Sequence, residues 1–245
     1  PGEVCCISGN TWESFKVGDP TPALCSFEYV YFLRSETVSD GVQVEKARHS
    51  MGSYLAQQDI NNGTIPPSDS LIVGAPYSGI VSGEGYASKI NMEYRQVISR
   101  KNKERTFIEK SQRHRIDAVY RKFEIDGDIN GNSIVFVDDS LVRGNTVKGI
   151  VCLLKDAGAK EIHIRIASPP IKNPCYFGID IPDRKDLIAV GNGIRDIAEI
   201  VGADSLVYLE RDLMIESIRI NGLDNQIDRL CSGCFDGNYC GMVSW

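Results

Sequence analysis

The thirteen residues Ile134 to Thr146, IVFVDDSLVRGNT, decide how the rest of this chain is read. Ile134, Val135, Phe136 and Val137 are β-branched or aromatic with no polar residue among them, the pattern of a strand buried on both faces of a parallel sheet. Two acids, Asp138 and Asp139, stand where such a strand ends. A short loop with Arg143 and Gly144 follows, and from Asn145 the apolar spacing of Val147, Ile150, Val151 and Leu154 predicts a helix. A strand, a turn and a helix start bring unpaired backbone N–H groups and the positive end of a helix dipole to one point, which suits an anion. Gly144 lets the backbone approach a phosphate, and Ser140 and Thr146 add hydroxyl donors. The two carboxylates cannot bind phosphate; they suit hydroxyls or a magnesium ion. A phosphorylated sugar meets all three demands.

Each half of this pattern is common, since acid pairs often close strands as solvated turns and Gly-bearing loops precede many helices. The full order is far more specific. It resembles the phosphoribosyl pyrophosphate (PRPP) motif of type I phosphoribosyltransferases, and VDDSLVRGNT is most similar to the form carried by the amidophosphoribosyltransferase family. The resemblance implies an α/β fold of the type I phosphoribosyltransferase kind, a mostly parallel sheet with helices on both faces.

Around this stretch, Leu71 to Val73 predicts a second buried strand, running into Gly74-Ala75-Pro76-Tyr77-Ser78-Gly79 and a helix over Ile80 to Ile90. Its loop is expected at the same sheet edge as Asp138, where α/β sheets bind ligands. The family carries an acid where this chain has Tyr77; Ser78 matches the position whose oxygen contacts magnesium. Pro1 to Ile7 reads as a strand and Ser8 to Ala23 as loop. Cys25 to Arg34 reads as an aromatic strand, and Gln43 to Gln57 as a helix. Beyond the central motif, Glu161 to Ala167 and Leu206 to Leu209 read as strands. Leu187 to Ala189, Ile194 to Val201 and Glu210 to Ile220 read as helices.

The segment from Arg95 to Lys122 holds ten Lys and Arg against three acids, within a chain of 245 residues and net charge −6. A charge run is usually a solvated face. Here a ligand with a phosphate and a pyrophosphate would need such a counter-field. Lys101-Asn102 and Arg105-Thr106-Phe107-Ile108 also resemble the family's mobile loop over PRPP, two residues shorter. The acidic net charge argues against nucleic acid as a partner, and no run of eighteen apolar residues offers a membrane span.

Eight cysteines without a secretory signal point to metal binding or catalysis rather than a disulfide framework. Cys231 and Cys234 form a CxxC that alone leaves zinc, redox chemistry and an iron–sulfur cluster open. Cys25 and Cys175 are the candidates in loop-like positions to complete a four-thiolate site. By resemblance, these four match one by one the ligands of the 4Fe-4S centre in the Bacillus-like branch of the family; zinc is the alternative. Cys152 reads as core, and Cys5, Cys6 and Cys240 have no assigned role. His49, His114 and His163 read as structural.

The resemblance further implies the reaction of PRPP with ammonia from glutamine, giving 5-phosphoribosylamine and pyrophosphate in purine synthesis. Lys101 and Arg105 would face the pyrophosphate as catalytic residues. Asp138, Asp139, Ser140, Arg143, Gly144, Asn145 and Thr146 would hold PRPP, with Ser78, Asp138 and Asp139 around one magnesium ion per site. Residues 1–24 would be a linker and remnant strand after an N-terminal glutaminase domain, which this chain, opening on Pro1, does not contain. Residues 25–245 would be the transferase domain with its cysteine-bearing tail. A cytoplasmic homo-oligomer is expected, with the glutaminase half as a separate or missing partner. A salvage phosphoribosyltransferase and a non-catalytic PRPP-binding regulator are the rival readings.

Overall fold

A computed structural model describes residues 3–17, 22–101, 113–222 and 229–240. Two short strands come first, β1 (Glu3–Ser8) and β2 (Thr11–Lys16), paired antiparallel as a hairpin. Thr11 to Lys16 is therefore strand, where the sequence reads as loop: the register sets Trp12 opposite Ile7 and Phe15 opposite Val4. Every residue of this hairpin is exposed.

The predicted aromatic strand from Cys25 is also corrected. Only β3 (Leu24–Cys25) is extended, and Glu28–Phe32 coils into a single π-helical turn. Aromatic and β-branched residues favour strands only where a pleated partner exists. Here the turn is held by one side chain, Arg48. Its Nε donates to the Tyr29 carbonyl (2.9 Å), its Nη2 to the Leu33 carbonyl (2.7 Å) and its Nη1 to Ser35 Oγ (3.1 Å).

Two short strands, β4 (Val38–Ser39) and β5 (Val42–Gln43), lead into α1 (Val44–Asn62), closed by Gly63 in the left-handed conformation. Then follow β6 (Leu71–Gly74), α2 (Ile80–Ile90), β7 (Ile98–Arg100), α3 (Arg113–Lys122), β8 (Phe123–Ile125), β9 (Ser133–Asp138) and α4 (Asn145–Asp156). The chain continues through β10 (Glu161–Ile166), α5 (Ile194–Val201), β11 (Ser205–Tyr208), α6 (Arg211–Arg219), β12 (Leu230–Cys231) and α7 (Gly233–Asp236). The sequence places a helix at Leu187 to Ala189, but the short 3₁₀ helix falls on Arg184–Asp186, and Leu187 to Val190 form only a hydrogen-bonded turn. The Ile188 N–H instead donates to the Val142 carbonyl at 2.9 Å.

The central sheet runs β11-β10-β9-β6, all parallel. Its strands β6 and β9 are buried on both faces. Along β9, Val135 and Val137 join the core beneath α1, α2 and α6, whereas Ile134 and Phe136 join the core beneath α4 and α5. That alternation is the period of two expected of a strand sandwiched between helix layers. The expected parallel sheet with helices on both faces is thus present.

The polar residues of β10 fit the same rule. Ile162, Ile164 and Ile166 face α4 and α5, so His163 and Arg165 point to the opposite layer. There Arg165 Nε meets Asp59 Oδ2 at 2.5 Å and donates from Nη2 to the Thr64 carbonyl (2.8 Å), while Tyr86 donates to Asp59 Oδ2 (2.6 Å). A buried ion pair survives only with its remaining hydrogen bonds met, and this network joins α1, α2 and β10.

Candidate functional site

The carboxyl ends of β6 and β9 open into a cleft of about 460 Å³. The loop after β6 enters it because Gly79 lies against β9: a Cβ there would sit 2.2 Å from the Val137 carbonyl oxygen, and the Ala75 N–H donates to that same oxygen at 2.8 Å. Ser78 is thereby delivered to the acid pair, its Oγ donating to Asp138 Oδ1 at 3.0 Å. The Asp139 N–H donates to the same oxygen (2.9 Å), and Ser140 Oγ donates to Asp139 Oδ1.

Both acids are buried. Burial, and then the neighbouring Asp139 charge, hold the Asp138 carboxyl well above the ordinary carboxylate range; burial raises Asp139 as well. The Arg48 charge opposes the rise at Asp139. Two desolvated carboxylates with raised proton affinity are a site that a divalent cation would relieve.

The anion end is formed by residues 143–146. Gly144 has φ +76° and caps the N-terminus of α4. An added Cβ would stand 2.6 Å from Ile188 Cδ1, so the loop needs glycine for both conformation and space. Arg143, Gly144, Asn145 and Thr146 all line the cleft with Ser78, Asp138, Asp139 and Ser140. The residues expected around phosphate, hydroxyls and magnesium are therefore gathered in one place.

The charged segment behaves differently. Arg105 lies outside the described residues. Lys101 is not part of the cleft lining; its Nζ donates to the Tyr120 carbonyl at 2.9 Å. Among the described cations of that segment, Arg100 and Lys122 line the cleft, beside Phe123. The alternation of side chains along an extended strand explains this: adjacent residues point opposite ways, so Arg100 and Lys101 cannot share a face. Both cleft cations belong to the run of ten, but the sequence offers no signal to single them out. Phe27, Tyr31 and Phe32 from the π-helical turn complete one wall, with Asp180 to Pro182 nearby.

A larger cavity, about 660 Å³, lies against β11 and α5. Of its polar lining, Arg165 is engaged with Asp59, and His163 Nδ1 lies 2.9 Å from Ser205 Oγ.

The four cysteines also converge. In the parallel pair β12–β3, Cys231 is in register with Cys25. Cys234 is the second residue of α7, and its carbonyl accepts from the Lys172 and Asn173 N–H groups (2.9 and 3.0 Å), bringing the Cys175 loop alongside. The Phe177 N–H donates to Cys175 Sγ at 3.3 Å. Burial pushes the Cys234 thiol up to about 12, with the neighbouring Cys25, Cys231 and Cys175 adding to the shift. Among the described residues, no three His, Cys, Asp or Glu stand together as a formed metal site. Cys152 is half-buried, and Cys5 and Cys6 are exposed. None of the helices among the described residues is long and apolar enough to cross a membrane.

A parallel sheet whose strand ends carry an acid pair, with a glycine-capped helix start beside it, defines a class. The chain belongs to the phosphoribosyl transferase domain family, whose model matches residues 47–169. Its similar relatives narrow that further. It is 41% identical over 240 residues to the amidophosphoribosyltransferase of Pyrococcus horikoshii, covering 98% of this chain and 50% of that one. The Drosophila melanogaster amidophosphoribosyltransferase is 36% identical over 260 residues, covering 100% and 46%. Among solved structures, the glutamine phosphoribosylpyrophosphate amidotransferase from B. subtilis complexed with ADP and GMP matches with a TM-score of 0.79 and 34% identity, over 98% of this chain and 52% of that one. The chain spans about half the length of the relatives it matches.

Proposed function

We propose that this chain is the phosphoribosyl-transferring part of an amidophosphoribosyltransferase, converting PRPP and ammonia to 5-phosphoribosylamine and pyrophosphate in purine synthesis. The observation that carries this reading is the single cleft that unites Ser78, Asp138, Asp139 and the Arg143–Thr146 helix start. Residues 25–245 form the transferring unit and residues 1–24 its linker, with glutamine hydrolysis assigned to the part of the relatives that this chain does not span.

As pyrophosphate leaves, the C1 carbon becomes oxocarbenium-like, and the protein contributes position and charge rather than a covalent nucleophile. Asp138 and Asp139 orient the ribose hydroxyls. Backbone N–H groups of residues 143–146, with the Thr146 hydroxyl, fix the 5′-phosphate at the α4 N-terminus; the Ser140 hydroxyl would have to turn from Asp139 to join them. Arg105, in the charged segment, is assigned to the pyrophosphate; the neighbouring Lys101 would have to release the Tyr120 carbonyl to join it.

Ser78, Asp138 and Asp139 fit a magnesium ion, since two buried carboxylates and a hydroxyl supply hard oxygen donors. When bound, magnesium neutralises diphosphate charge. Cys25, Cys175, Cys231 and Cys234 fit a 4Fe-4S cluster by donor chemistry. Its role is structural, joining β3, the Cys175 loop and the tail.

Release of pyrophosphate from PRPP with magnesium, followed with and without ammonium salts, tests the proposal. Ammonia-dependent release is expected. PRPP binding without any ammonia-dependent release would favour a regulator instead.

A further inference from the structure

Among the described residues, three other than glycine have positive φ: Asp40, Asn91 and Tyr77. Asp and Asn tolerate the left-handed region, but an aromatic residue there is strained and needs something to hold it. Burial does not, because Tyr77 is 68% exposed. Its ring instead lies under the guanidinium of Arg100, whose Cζ is 5.0 Å from the ring centroid. The other neighbour of that guanidinium is the Phe123 ring at 5.9 Å, on the residue paired with Arg100 across the β7–β8 ladder.

Arg100 lines the cleft, whereas Tyr77 stands outside it, between the cleft residues Pro76 and Ser78. Arg100 and Lys122, the two cleft cations of the charged segment, also divide the space between them. Lys122 borders a side recess with Asn145 and Thr146, which Arg100 does not touch. Lys122 therefore belongs with the phosphate-gripping helix start, and Arg100 with the Ser78 end.

We propose that Tyr77 is a positioning residue: its ring, opposite Phe123, holds the Arg100 guanidinium in the cleft to receive the diphosphate end of the substrate. This rests on the reading of the cleft as a PRPP site. Arg suits the task because its planar, weakly hydrated group stacks on a ring face and keeps its N–H edges free for phosphate oxygens. A guanidinium already held in place loses less rotamer freedom when the anion arrives. A carboxylate at position 77 would neutralise Arg100, whereas a ring leaves its charge intact.

The test is calorimetric titration of the wild type, Tyr77→Phe, Tyr77→Asn and Arg100→Gln with inorganic pyrophosphate and, separately, ribose 5-phosphate, all with magnesium. Asn removes the ring yet accepts the left-handed backbone. Tyr77→Asn is expected to weaken pyrophosphate by about two- to fivefold, the scale of an exposed cation–π contact, and to leave ribose 5-phosphate unchanged. Tyr77→Phe keeps wild-type affinity, because it keeps the ring. In an Arg100→Gln background, Tyr77→Asn has no further effect, since the two act as one unit. Equal loss for both ligands, or an undiminished Tyr77→Asn effect without Arg100, overturns the clamp. Wild-type protein that binds ribose 5-phosphate but not pyrophosphate overturns it too, leaving the rest of the PRPP site standing. Wild-type protein that binds neither ligand overturns the PRPP reading and the clamp with it.

Discussion

Replacing Gly144 by Ala probes the phosphate grip with a built-in control. The added Cβ faces two costs. At φ +76° an L-residue is disfavoured by about 1–2 kcal/mol. It would also meet Ile188 Cδ1 at 2.6 Å and Val201 Cγ1 at 3.4 Å. Because the nearer atom is a terminal methyl that can turn away, this overpacking belongs near the lower end of its usual range, about 1 kcal/mol. The total is about 2–3 kcal/mol of stability. Gly127, with φ +93° and nothing within 4 Å of its added Cβ, isolates the first cost. Urea unfolding should therefore show Gly144→Ala less stable than Gly127→Ala by about 1 kcal/mol. Titration with ribose 5-phosphate gives the functional half. Hydrogen bonds to a charged group are worth about 1.5–3 kcal/mol, so displacing even one backbone N–H weakens binding by about tenfold or more. Gly127→Ala should bind as the wild type does. A Gly144→Ala protein that is destabilised as calculated but retains full affinity would refute the assignment of residues 143–146 to the phosphate.

Three further outcomes follow from the same structure. The raised Asp138 and Asp139 carboxyls bind protons more tightly folded than unfolded, so stability falls as pH rises above the ordinary carboxylate value of about 4. Asp138→Asn should then outlast the wild type in urea near neutral pH, lose that advantage in acid, and bind PRPP poorly; lower stability at neutral pH would contradict the burial argument. Anaerobic protein should be brown, Cys234→Ser colourless and Cys152→Ser still brown, whereas colourless wild type with about one zinc per chain would select the zinc alternative. Asp59→Ala, which leaves Arg165 buried without its partner, should cost about 3–5 kcal/mol by urea unfolding, and a loss below about 1 kcal/mol would show the network to be solvated.

What the sequence revealed and what it hid divide along a physical line. The strand at Ile134–Val137, the acids after it and the helix from Asn145 were legible because each is fixed by local periodicity and by neighbours a few residues away. The π-helical turn at Glu28–Phe32 was not. Its carbonyls are satisfied by Arg48, and its burial comes from partners such as Phe235, whose ring lies 6.0 Å from that of Phe27. Strand propensity in such a run says only that the residues suit a half-buried surface. The cleft cations were hidden for another reason. Composition identified the charged segment, but which of its residues face the cleft depends on strand phase, and a shift of one position exchanges Arg100 for Lys101.

The pairing of β3 with β12 has a mechanical consequence. These two-residue strands close a span of 205 positions, marked by Ser26 Oγ donating to the Cys231 carbonyl at 2.8 Å. Closing so long a loop costs about 5 kcal/mol of chain entropy, more than two ladder residues return, so the pairing depends on the aromatic contacts around it. Because the strands are parallel, the chain enters at the start of β3 and leaves at the end of β12. Tension between the two ends therefore loads the pair in shear, all its bonds together rather than one by one. When it yields, the neighbouring Phe27–Phe32 wall of the cleft is freed on the β3 side. That wall of the cleft is thus coupled to any load carried between the segments that flank β3 and β12.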